Sequence, residues 1–427
     1  MSMRRYLSLL ALALAACSKS NSGGTGPGPT GSLDVTITTP AGVTAKVSII
    51  TPNDSVITIS SSQTVNGLTP GDYIVRAGPG VTADPIVSVA YTGTITGSPA
   101  TVTAGQTANA TVTYSTPRAS SGILWIANAI GYQLSGFSSA NLGATGAPVP
   151  ATRIGTGASG SITEGGVSIA VDSSGGIWYA NNSDTLRYYA AALIASPTNA
   201  APTRRLISTS LQYAIALAFD AMGNLWVADQ AKGQVSKFTP SQLAAGGAQT
   251  PTVVLSNTFG TIKRPWQIAF DGHGNLWVVS YGDSSISAFS PSQFAVSGSP
   301  LPFAGLSGSK GISDCLGIAF DAAGNLWVGT LSDTISKFTP DQLTTVGAPT
   351  PSVILKISSS PVGMAFDNSG ALWVAGYENN KLMQLTPGQL TTTGTPTPAV
   401  TISNNGNSIS VPNGITFSPA ALNLPIR

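Results

Sequence analysis

Short apolar runs alternate with small and polar residues along most of this chain, and from residue 120 onward the runs recur in a fixed order. Each unit opens on a run such as Ile268-Ala269-Phe270, breaks at Asp-x-x-Gly, and resumes as Leu276-Trp277-Val278-Val279. A third run alternates, as in Ile286-Ser287-Ala288-Phe289, and a fourth closes the unit, as in Thr252-Val253-Val254-Leu255 or Ser352-Val353-Ile354-Leu355. Apolar runs of this length with period-2 alternation predict strands. Asp favours the first turn position and Gly supplies a positive φ, so the break predicts a tight hairpin. Trp125, Trp178, Trp226, Trp277, Trp327 and Trp373 recur every 46 to 53 residues. Five of them end the phrase A-[FV]-D-x-x-G-x-[LI]-W, beginning at Ala170, Ala218, Ala269, Ala319 and Ala365. A period near fifty with four strands per unit predicts a radial β-array.

Four units carry Ser/Thr-Pro-x-Gln after the third run, at Thr239, Ser290, Thr339 and Thr386. The hydroxyl caps a helix start, Pro fits the first helical position and Gln completes a capping box, so one helical turn is expected there. The ends of the array predict the blade count. The first unit has its Trp strand, Ile123-Leu124-Trp125-Ile126-Ala127, with no Ala-Phe-Asp strand before it. Asn413-Gly414-Ile415-Thr416-Phe417-Ser418 resembles that missing strand, so the C-terminal strand is expected to close the first blade and remove the open edges. The prediction is an all-β chain: a six-bladed β-propeller over 120–427 behind a small N-terminal β-sandwich. Small residues at period 2 in the first strands (Ser168/Ala170, Ala216/Ala218, Gly317/Ala319, Gly363/Ala365, Gly414/Thr416, with Gln267/Ala269 the large exception) are expected to ring the axis.

The region before residue 120 reads differently. Residues 1–16 have a basic start (Arg4, Arg5), an apolar run from Leu7 to Leu14, then Leu14-Ala15-Ala16-Cys17. The run is too short to span a bilayer as a mature helix, so 1–16 reads as a signal peptide. The last four residues resemble the bacterial lipobox, which implies lipidation of Cys17 and attachment to a membrane of the cell envelope; Ser18 resembles lipoproteins sent on to the outer membrane of a Gram-negative cell. The alternative is an ordinary signal peptide cut elsewhere, with Cys17 a spare thiol. Residues 17–31 are rich in Ser, Gly, Thr and Pro and read as a flexible tether. In 32–116, strands are expected at Leu33–Ile37, Ala45–Ile50, Asp72–Ala77 and Thr107–Val112. Asn66-Gly67-Leu68-Thr69-Pro70-Gly71-Asp72-Tyr73 resembles the turn of transthyretin-like and Cna-B-like sandwich modules, which implies a stalk domain.

Charge narrows the partners. Charged residues make up 8% of the chain, and without Arg4 and Arg5 the 19 basic residues fall to 17, against 17 acidic ones. A nucleic-acid partner would need a basic stripe, so none is expected. With Cys17 lipidated, Cys315 has no intrachain partner and reads as a buried, inert thiol.

Asp220-x-x-Gly223-Asn224-Leu225-Trp226-Val227-Ala228-Asp229 resembles the NHL repeat and the propellers of streptogramin (virginiamycin B) lyases and gluconolactonases. The likeness runs over roughly 120–424 and is specific for fold rather than activity. The lyases use a His and a Glu with Mg²⁺. Here the one His, His273, falls in a hairpin turn, and the glutamates are Glu164 and Glu378, so the lyase machinery is not carried over. The repeated turn aspartates are expected to serve the hairpins rather than a metal, and the repeated Trp residues to pack between blades.

The opposite face carries the loops between second and third strands and the segments leading into each first strand. Repetition breaks there, as a site requires. Its candidates are Glu164, Asn181, Asp229, Trp266, Tyr281, Asp314, Tyr377, Glu378 and Asn413, with Asn128, Tyr132, Asp184, Tyr213, Asp283, Asp333 and Asn379 nearby. Carboxylates, amides and aromatics suit a polar ligand, with or without a divalent cation such as Ca²⁺ or Mg²⁺. The favoured reading is an anchored propeller that binds a polar small molecule or an envelope protein. A lyase- or lactonase-type enzyme using a divalent cation at the channel mouth is the alternative, and a purely structural envelope protein the third.

Overall fold

The computed structural model describes residues 29–418 except 41–42, 54, 83–89, 119–121, 131, 156–166, 173, 196–199, 257–259, 368 and 407. Residues 1–16, expected to be a signal peptide, Cys17 and Glu164 lie outside the described residues. No described helix is long and apolar enough to cross a membrane.

Eight strands form the N-terminal region: β1 (Gly31–Thr38), β2 (Val43–Ile50), β3 (Val56–Ile59), β4 (Gln63–Leu68), β5 (Gly71–Thr82), β6 (Ala90–Thr96), β7 (Ala100–Val102) and β8 (Thr107–Arg118). They join in one path, β3-β2-β5-β6-β8-β1-β4, with β7 paired to β5. The four expected strands are present and longer than the sequence suggested. The four others are short or rich in Thr, Ser and Gly, and tertiary pairing rather than apolar patterning defines them. Leu33, Val35, Val47, Ile49, Tyr73, Val75, Val112 and Tyr114 face one core. Tyr73 is buried, and its hydroxyl donates to the Thr69 carbonyl at 2.9 Å, which fixes the turn before β5.

Six sheets of four or five strands follow. The second to sixth begin on the inner strands Ser168–Val171, Ala214–Phe219, Pro265–Phe270, Cys315–Phe320 and Pro361–Phe366, each pairing antiparallel with its Trp strand. In the first sheet, the Trp strand Ile123–Asn128 pairs instead with Pro412–Ser418 from the end of the chain. Pro412–Ser418 packs against the inner strands of both the sixth and the second sheets, as every other inner strand packs against its two neighbours. The architecture is nearly all β and propeller-like.

Each Trp strand alternates its side chains between two neighbours. In Leu326-Trp327-Val328, Leu326 and Val328 pack with the fourth sheet and Trp327 with the sixth. Six such apolar clusters lie between successive sheets, including one between the sixth sheet (Trp373, Ala375, Leu382) and the first (Leu124, Ile126, Phe137). Phe residues of the next inner strand meet the Trp edges: Trp226–Phe270, Trp277–Phe320 and Trp327–Phe366 have centroids 6.1, 5.7 and 6.2 Å apart. The indoles are packing wedges, as expected.

The turn carboxylate holds the wedge. Asp321 Oδ1 accepts from the backbone N–H groups of Ala323 and Asn325, and Oδ2 accepts from Trp327 Nε1 at 2.9 Å. The same indole-to-carboxylate bond recurs from Trp226 to Asp220, Trp277 to Asp271 and Trp373 to Asp367. One residue therefore closes the hairpin and satisfies the single polar atom of a buried indole.

Two details add to the sequence reading. The inner-strand glycines face the adjacent inner strand: a Cβ on Gly363 would fall 2.1 Å from the Asn413 carbonyl oxygen, and one on Gly414 2.9 Å from Ser168 Cα. Close approach of backbones requires the small residue. The capping Gln also has a second task. Helical turns form at Pro240–Ala245, Pro340–Leu343 and Pro387–Leu390, while Gln242, Gln342 and Gln389 each donate a side-chain N–H to a carbonyl eight residues on, at 2.6 Å. The segment after each such turn pairs with the outer strand of the preceding sheet. Gly298 exchanges bonds with Val254 and Ser256, Gly394 with Ile354 and Lys356, and Gly146 of the first sheet with Thr401 and Ser403 of the sixth. The outer edges of the second to sixth sheets are thereby covered, and the Pro two residues past each of these glycines cannot extend the ladder.

Asp321→Ala should strand the Trp327 indole N–H and open the turn, lowering stability by roughly 1–3 kcal/mol. Urea unfolding followed by Trp fluorescence measures this, and an unchanged midpoint would contradict the role given to the carboxylate.

Candidate functional site

The site is built where the second strands end. The residue three past each Trp is Asn128, Asn181, Asp229, Ser280, Thr330 or Gly376, and all but the glycine are buried polar groups. They latch the departing loops. Asp229 is fully buried; Oδ2 accepts from the backbone N–H groups of Gln212 and Tyr213, and Oδ1 from that of Lys232. Asn128 accepts from the Ser410 N–H at 2.8 Å and donates to the Ser408 carbonyl. Ser280 Oγ accepts from the Lys263 N–H at 3.1 Å. Asn181 Oδ1 accepts from Arg187 Nη1 at 2.6 Å and from the Ser183 hydroxyl. In three of these the loop leaving the second strand is tied to the segment leading into the first strand of the same sheet.

Gly376 has no side chain for this, and Glu378 reaches back instead. Its Oε2 accepts from the Ser360 N–H at 2.8 Å and the Ser359 hydroxyl at 2.9 Å, and its Oε1 from the Ser360 hydroxyl at 2.6 Å. Desolvation pulls the Glu378 pKa up, but the bonds from Ser360, Ser359 and its own N–H outweigh it and hold the carboxyl below its ordinary value of 4.5. Asp229 and Glu378 are thus committed to loop geometry. A signal for this was present in the sequence, a polar or small residue three past every Trp, and it reads as a latch only once the lead-in segments are known to lie beside it.

Backbone conformation separates the two faces. Non-glycine residues with positive φ among the described residues are Tyr132, Asn182, Arg264, Ser284, Asp314, Asp333, Asn380 and Val411, and all eight belong to these loops and lead-in segments. On the opposite face the corresponding turn positions are Gly175, Gly223, Gly274, Gly324 and Gly370. Asn and Asp tolerate this region, whereas β-branched Val411 at φ 49° is a true outlier. Such residues cost on the order of 1 kcal/mol or more each and persist where their surroundings over-determine them. The surroundings are visible: Val411 donates to Asn380 Oδ1 at 2.6 Å and its carbonyl accepts from Ala129, while Asp314 donates to Ser284 Oγ at 2.9 Å.

Within this face one cluster combines aromatic surface with charge. Trp266 is half-buried and lies 5.6 Å, centroid to centroid, from Tyr281, whose ring also carries the Arg264 guanidinium at 5.3 Å. Lys263 Nζ pairs with Asp283 at 3.2 Å. The Asp314–Ser284 bond brings the exposed Asp314 to the same loop. Of the expected site residues, Trp266, Tyr281 and Asp314 therefore come together. Tyr377 is exposed on the sixth sheet beside Glu378, and Asn413 is buried with an unpartnered Oδ1. Asn181 and Asp229 point into the loops. Among the described residues, no three His, Cys, Asp or Glu side chains converge to hold a metal ion. Cys315 is buried, and desolvation pushes its thiol up to about 12, which keeps it protonated and unreactive at neutral pH. His273 is exposed on the turn face.

The lowered pKa of Glu378 sets a pH dependence. A carboxyl depressed in the folded state stabilises above its unfolded value, and that contribution is lost as pH falls through the folded value. The difference in melting temperature between the wild type and Glu378→Gln should be present at pH 7 and shrink to nothing on the acid side of 4.5. A difference that persists at low pH would show that the charge is not what the loop uses.

No protein-family model and no curated protein matches the chain. Solved structures similar to it include a virginiamycin B lyase from Staphylococcus aureus, at 16% identity and a TM-score of 0.36, covering 52% of this chain and 67% of that one. A streptogramin B lyase is 13% identical with a TM-score of 0.46, covering 70% and 87%. A protein of unknown function from Bacteroides caccae is 10% identical, also with a TM-score of 0.46, covering 70% and 99%.

Proposed function

We propose that the six sheets close as the blades of a β-propeller, and that its irregular face binds a polar small molecule outside the cytoplasm on a lipoprotein anchored through Cys17. The single observation that carries the binding reading is the confinement of all eight strained non-glycine residues to the face that also bears Trp266, Tyr281 and Arg264. Strain is retained where a surface is held ready for a ligand, and a half-buried aromatic pair with a flanking exposed guanidinium supplies stacking and hydrogen-bonding chemistry in one place. Ring closure is supported by Pro412–Ser418 lying between the sixth and second inner strands and by Gly146 pairing with the sixth outer strand. The anchor rests on the leader and its Leu-Ala-Ala-Cys ending.

A thermal-shift screen of sugars, nucleotides and short peptides should return a polar ligand. Trp266→Ala should weaken its binding by about thirtyfold or more, the scale of a central aromatic anchor, measured where the variant, which loses packing against two apolar clusters, is still fully folded. Full affinity in Trp266→Ala, or loss of affinity in His273→Ala instead, would place the site elsewhere. Turnover of the ligand by wild type would favour the lyase-like alternative.

Anchoring is tested separately. Cys17→Ser should move the protein from the detergent phase to the aqueous phase in a partition assay, and unchanged partition would remove the lipid anchor from the proposal.

A further inference from the structure

Strands β3, β2 and β5 have one face on the N-terminal core and one face away from it. The second face presents Thr58, Ser48 and Arg76 in a single cross-strand row, with Lys46 and Val56 beside it. Polar positions of this kind ordinarily face water. Here Ser48 is 7% exposed and Arg76 is 5% exposed. What covers them is the Asp-x-x-Gly turn face of the repeat sheets. A cavity of about 560 Å³ runs between Lys46, Ser48 and Thr58 on one side and Asp271, His273 and Asp341 on the other.

Arg76 enters the turns themselves. A Cβ on Gly274 would lie 2.3 Å from the Arg76 guanidinium, whereas a Cβ on Gly324, the same turn position in the next sheet with the same φ of 79°, would meet nothing nearer than Pro340 at 3.6 Å. Nε and Nη1 of Arg76 are buried without a hydrogen-bond partner. Desolvation lowers the Arg76 pKa, while Asp220 and Asp271, from the turns of two adjacent sheets, raise it; a guanidinium stays charged throughout the physiological range. A buried cation facing turns that carry two carboxylates, in a notch that only glycine leaves open, is a docking contact.

We infer that the turn face is the docking surface for the chain's own N-terminal domain, that Arg76 couples the two domains into one cooperative unit, and that the irregular face is thereby the one left open to ligands. The docking does not depend on any ligand, and its test reads stability rather than binding, so its failure is distinct from failure of the proposed binding site.

The full-length protein is compared as wild type, Gly274→Ala and Gly324→Ala, each with Arg76 and with Arg76→Ala, by scanning calorimetry. Both glycine changes incur the same backbone strain. Gly274→Ala should lower the melting temperature by several degrees more than Gly324→Ala, and the excess should vanish in the Arg76→Ala background. Equal losses with Arg76 present would overturn the inference, and this comparison stands even if Arg76→Ala does not fold. Arg76→Glu, which places a third acid against Asp220 and Asp271, should split the single transition into two and raise the radius of gyration in small-angle scattering. One unshifted transition in that variant would also overturn it.

Discussion

The bond from a buried indole to a turn carboxylate is the interaction on which the repeat sheets depend. Each Trp fills the space between two sheets, and truncation of so large a wedge costs about 3–5 kcal/mol. Its one polar atom must be satisfied in that dry space, and in the third to sixth sheets the turn aspartate of the same sheet does so at 2.9 Å. The same carboxylate collects two backbone N–H groups of the hairpin. Sheet-to-sheet packing and hairpin geometry are therefore set by one residue pair, which is why the two recur together at fixed spacing.

Where that pairing varies, the neighbourhood compensates. In the second sheet, Gly176 occupies the place of Asn224, Asn275 or Asn325, and a Cβ there would collide with the Tyr188 hydroxyl. Tyr188 in turn lies 5.1 Å from Trp178 and carries the Arg204 guanidinium at 4.5 Å. In the third and fifth sheets, Lys237 and Lys337 sit over Trp226 and Trp327 instead. An aromatic or a cation covers the outer side of each of these indoles.

The two faces obey different constraints. On one, five turns repeat one solution with glycine at the left-handed position, and the buried Arg76 of β5 fills the space beside one of them, at Gly274. On the other, the loops differ in length and sequence, and Asp, Asn, Ser, Arg, Tyr and Val occupy the left-handed region. The latches make this affordable: Asp229, Asn128, Ser280 and Glu378 tie their loops to the segments leading into the first strands of the same sheets. A carboxylate on this face is therefore ambiguous by residue type alone. Asp229 and Glu378 hold backbone, whereas Asp314 is exposed and donates its N–H to Ser284 of the loop that carries Tyr281.

The sequence by itself determined the strand content, the six Trp wedges, the Asp-x-x-Gly hairpins, the Ser/Thr-Pro-x-Gln caps and the pairing of Pro412–Ser418 with the first Trp strand. These are local patterns at fixed spacing, and each is dictated by turn chemistry or by the period-2 burial of one strand. Tertiary structure alone decided which polar residues are latches, where the glycines of the inner strands point, which strands the Gly-x-Pro segments cover, and that Arg76 is buried. Each of these depends on which segment lies opposite in space, often across more than a hundred residues, and a residue's type records its chemistry but not its partner.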